Sequence, residues 1–131
     1  PEINLLNEKN NGETILKAMN KKLINSAHDL SSGGLIVGLA EMAMGTTLGI
    51  KIEKPKKLSN QFEYFFGEDQ GRYLVEISPN KLSKIEDLFR ENNVYFEKIG
   101  TVQKEFFEFA GEFKISSKEL YKINNQWYYN Y

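Results

Sequence analysis

The chain has 131 residues, with 17 lysines and arginines against 18 aspartates and glutamates and a formal net charge of −1. A chain of this length can bury one hydrophobic core, and a hydrophobic content of 40% indicates a folded domain. The balanced charge and the lack of a long apolar run argue against a nucleic-acid partner and a membrane span. Because there is no cysteine, we predict no disulfide and no thiolate metal site, and we expect a cytoplasmic protein. The single histidine excludes a multi-histidine metal site, and we assign no metal ligand to this chain.

The first third of the chain predicts a polar lead-in, two helices and one strand. Residues 1–12 form the lead-in, which an Asn-Asn-Gly turn signal ends, and a domain is predicted over residues 13–131. Apolar residues on one side of residues 13–22 predict a helix, and the short apolar run 23–27 predicts a buried strand. Helical spacing returns over residues 35–44, where a following glycine is expected to end the second helix.

The remainder of the chain predicts strands and helices that do not alternate strictly. Strands are predicted over residues 48–53, 72–77, 95–102 and 106–115, the last of them broken at residues 110–111. Three helices are predicted: a short one capped by Ser59, an amphipathic one between Pro79 and Asn92, and a last one that Ser116 or Ser117 caps. The aromatic tail around Trp127 is expected to cover the sheet as part of the core, and the alternative is a surface for a partner. The mixture predicts an α+β fold, a two-layer α/β sandwich with a mixed sheet and helices on one face.

The most informative segment reads HDLSSGGL and runs from His28 to Leu35. It joins the first predicted strand to the second helix through two serines and two glycines. Glycine adopts positive φ and lets a ligand approach the backbone, and the free N–H groups of a helix start attract anions. The segment therefore predicts a phosphate-binding turn. The alternative is a plain helix cap, and the spacing matches neither the P-loop nor the dinucleotide fingerprint.

Two blocks of sequence carry a resemblance to a known family. Residues 27–35 (AHDLSSGGL) with 38–43 (GLAEMA) form the first, and residues 66–75 (FGEDQGRYLV) form the second. A weaker third block is IGTV at residues 99–102. Together they resemble the C-terminal domain of the AIR-synthase-related superfamily, and within it the synthetase subunits of phosphoribosylformylglycinamidine synthase. The likeness extends from about residue 16 to the end of the chain.

The resemblance implies a function for the longer enzyme. Such a synthetase is an ATP-dependent C–N ligase of purine biosynthesis, which converts formylglycinamide ribonucleotide and glutamine-derived ammonia to formylglycinamidine ribonucleotide, ADP and phosphate. ATP and Mg would be bound mainly by domains absent here, and this fragment alone is expected to be inactive. The implied partners are the N-terminal domains of the same enzyme, a glutaminase subunit or domain, and a small accessory subunit.

The resemblance also strengthens the assignment of site residues, although it implies no catalytic residue in this chain. The substrate- and phosphate-binding residues are predicted to be Asp29, Ser31, Ser32, Gly33 and Gly34. A site or interface role is open for His28, Glu68 and Arg72. Each of these residues also has a purely structural interpretation. His28 would pack as a neutral side chain, Asp29 would stabilise the turn by accepting N–H bonds, and Glu68 and Arg72 would form a surface ion pair.

The sequence departs mildly from the family pattern at two positions. Relatives often carry an acidic or small residue at the position of Ser32, and a small residue at the position of Asp69. Two other interpretations of the chain stay open at this point. It resembles, less well, other enzymes of the superfamily, such as aminoimidazole ribonucleotide synthetase or a small-molecule kinase. The third interpretation is a non-catalytic interaction module whose glycine turn only caps a helix.

Overall fold

The computed structural model describes residues 3–53, 60–109 and 111–130. The helices within these ranges are α1 (Leu5–Asn20), α2 (Gly34–Ala43), α3 (Gln61–Phe66), α4 (Leu82–Glu91) and α5 (Ser117–Asn125). Short 3-10 turns cover Pro79–Lys81 and Gln126–Asn130. The strands are β1 (Ser26–Asp29), β2 (Leu48–Ile52), β3 (Tyr73–Glu76), β4 (Gly100–Lys104), β5 (Phe106–Phe109) and β6 (Phe113–Ser116).

The described strands form two sheets. Strands β1 and β3 pair antiparallel, with Asp29 opposite Tyr73 and Ser26 opposite Glu76. The other sheet has the order β4-β2-β5-β6, in which β2 and β5 run parallel while the outer pairs run antiparallel. The predicted α+β class with a mixed sheet is therefore confirmed, with its strands distributed over two sheets.

The chain divides into two compact units, of which the first comprises Pro1–Gly38 and Phe66–Glu97. Its core is built by helices α1 and α4, whose apolar faces meet. The buried core side chains are Ile15, Ala18, Leu23, Ile85, Leu88 and Phe89. Burying each of the larger ones stabilises the fold by roughly 2 kcal/mol. The amphipathic helix predicted after Pro79 is thus confirmed as α4.

Helix α1 begins earlier than the sequence predicted. Its first turn is capped by Asn4, whose side-chain oxygen accepts the N–H of Asn7 at 3.0 Å. The turn predicted at residues 10–12 is wrong, because α1 continues through these residues. The side chains of Asn10 and Asn11 donate instead to the carbonyls of Asn92, at 2.5 Å, and Gly71, at 3.0 Å. These long-range bonds favour the helix over a local turn, and the proposed domain limits of 13–131 stay a prediction.

The first strand is displaced from its predicted position. The prediction placed it at residues 23–27, whereas β1 covers Ser26–Asp29. Leu23 lies just beyond α1, and its N–H donates to the carbonyl of Ala18 at 2.9 Å, so it caps the end of that helix. Lys22 adopts a φ of 54°, which turns the chain out of the helix at that point. The first residue of the apolar run 23–27 therefore caps the end of α1, and the strand begins only at Ser26.

The second unit comprises Leu39–Phe65 and Lys98–Tyr131 and contains the four-stranded sheet. Ile52 and Phe107 are buried, and the rings of Phe65 and Phe109 pack edge to face at 4.7 Å. The helix cap predicted at Ser116 is confirmed, since its hydroxyl accepts the N–H of Glu119 at 3.1 Å.

Other predictions for this unit were correct in part. The strand predicted over 95–102 begins only at Gly100, and the run 106–115 forms β5 and β6 on either side of residues 110–111. Helix α3 begins after Asn60, whose side-chain oxygen accepts the N–H of Phe62 at 3.0 Å. The predicted cap, Ser59, lies outside the described residues.

The aromatic tail does not join the core. Trp127 is 55% exposed and Tyr128 is 63% exposed, so the prediction of a buried cover was wrong. Their rings stack on each other with centroids 3.7 Å apart. Each ring therefore shields its neighbour rather than the sheet.

No helix in the described part of the chain combines the length and the apolar character that a bilayer crossing requires.

Candidate functional site

The candidate site is the turn between β1 and α2 in the first unit. Leu30 follows β1, is buried, and donates its N–H to the carbonyl of Arg72 at 2.9 Å. Gly34 N–H then donates to the carbonyl of Ser31 at 3.1 Å and begins helix α2. The segment thus has the predicted strand–turn–helix order, and the serines at its tip are exposed.

Two consecutive glycines give the turn its backbone shape. Gly33 has a φ of 83° and Gly34 a φ of 67°, values that other residues rarely adopt. A Cβ on Gly33 would also lie 2.8 Å from the Cβ of Val37, closer than real side chains approach. Glycine at position 33 is therefore required by both conformation and packing.

The amide of Gly33 holds an anion. Its N–H donates to Oε1 of Glu68 at 2.7 Å, across 35 residues of sequence. A carboxylate at this place is favoured by the positive end of the helix dipole. The plain-cap alternative expects a serine hydroxyl in that role, whereas here a distant carboxylate takes it.

Glu68 lies on the loop of residues 67–72, which several other contacts hold in place. Arg72 donates from Nη1 to the carbonyl of Gly67 at 3.1 Å and forms an ion pair with Asp69 at 3.8 Å. Gly71 accepts a bond at 3.0 Å from the side chain of Asn11. The structural alternative was a surface ion pair between Glu68 and Arg72, but among the described residues Arg72 pairs with Asp69 instead. Residues 67–72 form a loop, so residues four apart do not share a helix face.

His28 and Asp29 lie at the end of β1, as predicted. The Nδ1 atom of His28 is 2.5 Å from the carbonyl oxygen of Asp29, whose side chain is exposed. Both residues line an open groove of about 380 Å³ between α1 and the β1–β3 pair, together with Leu16 and Tyr73. The structure therefore brings Gly33 and Glu68 together and places His28 and Asp29 on this neighbouring groove.

The donor set does not fit a metal ion. Among the described residues, no group of three or more histidine, cysteine, aspartate or glutamate side chains could hold one. Two of the described carboxylates near the turn, those of Glu68 and Asp69, are engaged with Gly33 and Arg72. The chemistry available at the turn is binding of an anion by backbone amides.

Sequence reasoning missed the partner of the turn. Glu68 was a site candidate, but its contact with Gly33 joins segments 35 residues apart, and no local pattern encodes that distance. The sequence pattern places Asn11 in a turn, whereas its side chain anchors the loop by donating to the carbonyl of Gly71. The one indication of this role in the sequence is that Asn11 is a polar residue within an amphipathic helix.

Comparison with known proteins assigns the family. Residues 2–110 match the model of the AIR synthase related protein, C-terminal domain. The chain therefore belongs to this family, which confirms the resemblance seen in the two sequence blocks.

The relatives of this chain include PurL subunits. The chain is 48% identical over its full 131 residues to the phosphoribosylformylglycinamidine synthase subunit PurL of Pelagibacter ubique, and it spans 18% of that protein. A structure of Thermotoga maritima PurL complexed with FGAR matches 87% of this chain and 21% of its own, with a TM-score of 0.73 at 22% identity. The structure of PurLQS from Thermotoga maritima matches with a TM-score of 0.73 at 23% identity, again over 87% and 21%. The chain thus spans about a fifth of the length of these relatives, and the solved structures support the fold.

Proposed function

We propose that this chain is the C-terminal substrate-binding domain of a phosphoribosylformylglycinamidine synthase synthetase subunit. The proposal is supported by its 48% identity over the whole chain to a PurL subunit. The activity of the longer enzyme is the ATP-dependent conversion of formylglycinamide ribonucleotide, with glutamine-derived ammonia, to formylglycinamidine ribonucleotide. The PurL relatives favour this activity over the two alternatives, another enzyme of the superfamily and a non-catalytic module.

Within that enzyme, we assign phosphate binding to the turn of Ser31, Ser32, Gly33 and Gly34. The observation that carries this assignment is the 2.7 Å bond between the Gly33 amide and the Glu68 carboxylate, an anion seated at the start of α2. A phosphate oxygen offers the same negative charge and accepts the same bond. Backbone amides and the helix dipole attract a phosphate without a basic side chain.

The two serines of the turn and the nearby Asp29 supply further polar groups. Ser31 and Ser32 are exposed at its tip, so their hydroxyls can donate to a phosphate that rests on the amides. Asp29, on the neighbouring groove, can accept bonds from ribose hydroxyls. His28, Glu68 and Arg72 stay candidates for site or interface roles, and we assign no catalytic residue to this chain.

The remaining parts of the reaction belong to the rest of the proposed enzyme. ATP and Mg would be bound mainly by its N-terminal domains, since the described part of this chain has no metal-ligating cluster. The partners we propose are those domains, a glutaminase subunit or domain, and a small accessory subunit, in a cytoplasmic enzyme. The fragment by itself would bind substrate without turnover.

The test is an amide NMR titration with formylglycinamide ribonucleotide, with inorganic phosphate as the control ligand. We expect shifts for residues 31–35 with both ligands, and further shifts for residues of the groove with the ribonucleotide. Shifts elsewhere with no change at the turn would contradict phosphate binding there. A fold-intact chain that responds to neither ligand would also contradict the assignment for the chain as it stands.

A further inference from the structure

The contact between Glu68 and the turn has a consequence for ligand binding. The Gly33 N–H has one hydrogen, and Oε1 of Glu68 accepts it at 2.7 Å. A phosphate oxygen at the same place would meet a carboxylate of like charge within a few ångströms. Both anions cannot use this amide at once.

We infer that Glu68 is an internal competitor of the ligand: its carboxylate accepts the hydrogen bond of the Gly33 amide and is displaced when a phosphate binds. This inference rests on the proposed phosphate function of the turn. Glu68 is then a self-inhibitory residue. The larger the fraction of molecules in which its carboxylate is bonded to the Gly33 amide, the weaker the apparent affinity for phosphate.

The surroundings of Glu68 allow its side chain to leave while the loop stays. Glu68 is an exposed residue on a loop segment without helix or strand. The backbone of that loop is anchored independently, by Asn11 at the Gly71 carbonyl and by the Leu30 N–H at the Arg72 carbonyl. A rotation of the Glu68 side chain therefore breaks one hydrogen bond and leaves these anchors in place.

The neighbouring carboxylate provides a matched control. Asp69 carries the same charge one residue along, but it pairs with Arg72 at 3.8 Å instead of with the turn. Its side chain is 58% exposed. Neutralising Asp69 changes the net charge of the loop as much as neutralising Glu68 does, without opening the Gly33 amide.

The test is calorimetric titration of the chain with inorganic phosphate, for the wild type, Glu68→Gln and Asp69→Asn. A carboxylate at a helix start is worth a few tenths to one kcal/mol, so we expect Glu68→Gln to bind phosphate about 2- to 5-fold more tightly. Asp69→Asn is expected to stay within about twofold of the wild type, since a charge pair at the surface contributes little. An equal gain in both variants would overturn the inference, because it would reflect net charge alone.

Two further outcomes separate this inference from the proposed function. If phosphate binds the wild type and binds Glu68→Gln equally or more weakly, Glu68 is a support of the turn and the inference fails, while the phosphate site stands. If neither protein binds phosphate, the inference and the phosphate site fail together.

A second measurement needs no ligand. The amide resonance of Gly33 should move when Glu68→Gln is compared with the wild type, because a charged acceptor is replaced by a neutral one. The same resonance should stay in place in Asp69→Asn. An unchanged Gly33 resonance in Glu68→Gln would show that the contact is absent in solution, and this would overturn the inference.

Discussion

Substitution of Gly33 by alanine tests the geometry of the turn. The residue has a φ of 83°, and an added Cβ would lie 2.8 Å from the Cβ of Val37 and 3.3 Å from its Cγ1. The left-handed conformation costs about 1–2 kcal/mol for a residue with a side chain. Overpacking against Val37 adds about 1–3 kcal/mol. We therefore expect Gly33→Ala to lower the free energy of unfolding by about 2–5 kcal/mol.

Gly111 is the matched control for this substitution. Its φ is 81°, nearly that of Gly33, but an added Cβ there meets no atom of the described residues within 4 Å. Gly111→Ala should therefore show the conformational cost alone, about 1–2 kcal/mol. The measurement is urea unfolding followed by circular dichroism, with the midpoint and slope compared between variants.

Val37→Ala separates the packing cost within the same unit. It removes both γ-methyl groups, among them Cγ2, which is the Val37 atom nearest to an added Cβ on Gly33. Gly33→Ala should therefore cost about 1 kcal/mol less in that background than in the wild type. Equal costs for Gly33→Ala and Gly111→Ala, with no coupling to Val37, would refute the packing argument. Glycine would then be required at position 33 by the backbone conformation alone.

Three other predictions concern Gly38 and Tyr95 in the first unit and the cap of α5 in the second. In Gly38→Ala, the new Cβ would lie 2.8 Å from Cδ2 of Leu30, so urea unfolding should show a loss of roughly 1 kcal/mol in spite of the gain in helix propensity. Ser116→Ala removes the cap of α5, and thermal unfolding should show a loss of about 1 kcal/mol. The carboxylate of Glu97 raises the pKa of Tyr95 above its ordinary value, so Glu97→Gln should lower that pKa in an NMR titration of the Tyr95 ring; an unchanged pKa would contradict the contact.

Local patterns predicted much of the fold. The apolar spacing of Ile85, Leu88 and Phe89 identified α4, because one face of that helix enters the core. The capping spacing at Ser116 identified the start of α5, because the cap involves residues only three apart. Such features are encoded within a single turn of the chain, where propensity and side-chain bonds act together.

Predictions failed where distant residues decided the outcome. Asn10 and Asn11 look like a turn in isolation, but their bonds to Asn92 and Gly71 keep α1 helical. Trp127 looks like core by its size, yet its ring stacks on Tyr128 and stays exposed. Propensity is a weak guide when tertiary contacts oppose it.

At the candidate site, too, the local features could be predicted and the long-range contact could not. The glycines of the turn could be predicted, since positive φ and a helix start after a strand have a local signature. The hydrogen bond between the Gly33 amide and Glu68 could not be predicted, because it depends on how the loop of residues 67–72 folds. The resemblance to the family supplied the function, which composition and spacing alone left open.

Recognition of a ribonucleotide phosphate by the turn is tested most directly by comparing the binding of two ligands. Calorimetry would give the affinity of the chain for formylglycinamide ribonucleotide and for the same compound without its phosphate. Charge-assisted hydrogen bonds to the amides predict a loss of about 10-fold or more for the dephosphorylated compound. Equal affinities would show that the turn contributes nothing to recognition, and would contradict the account.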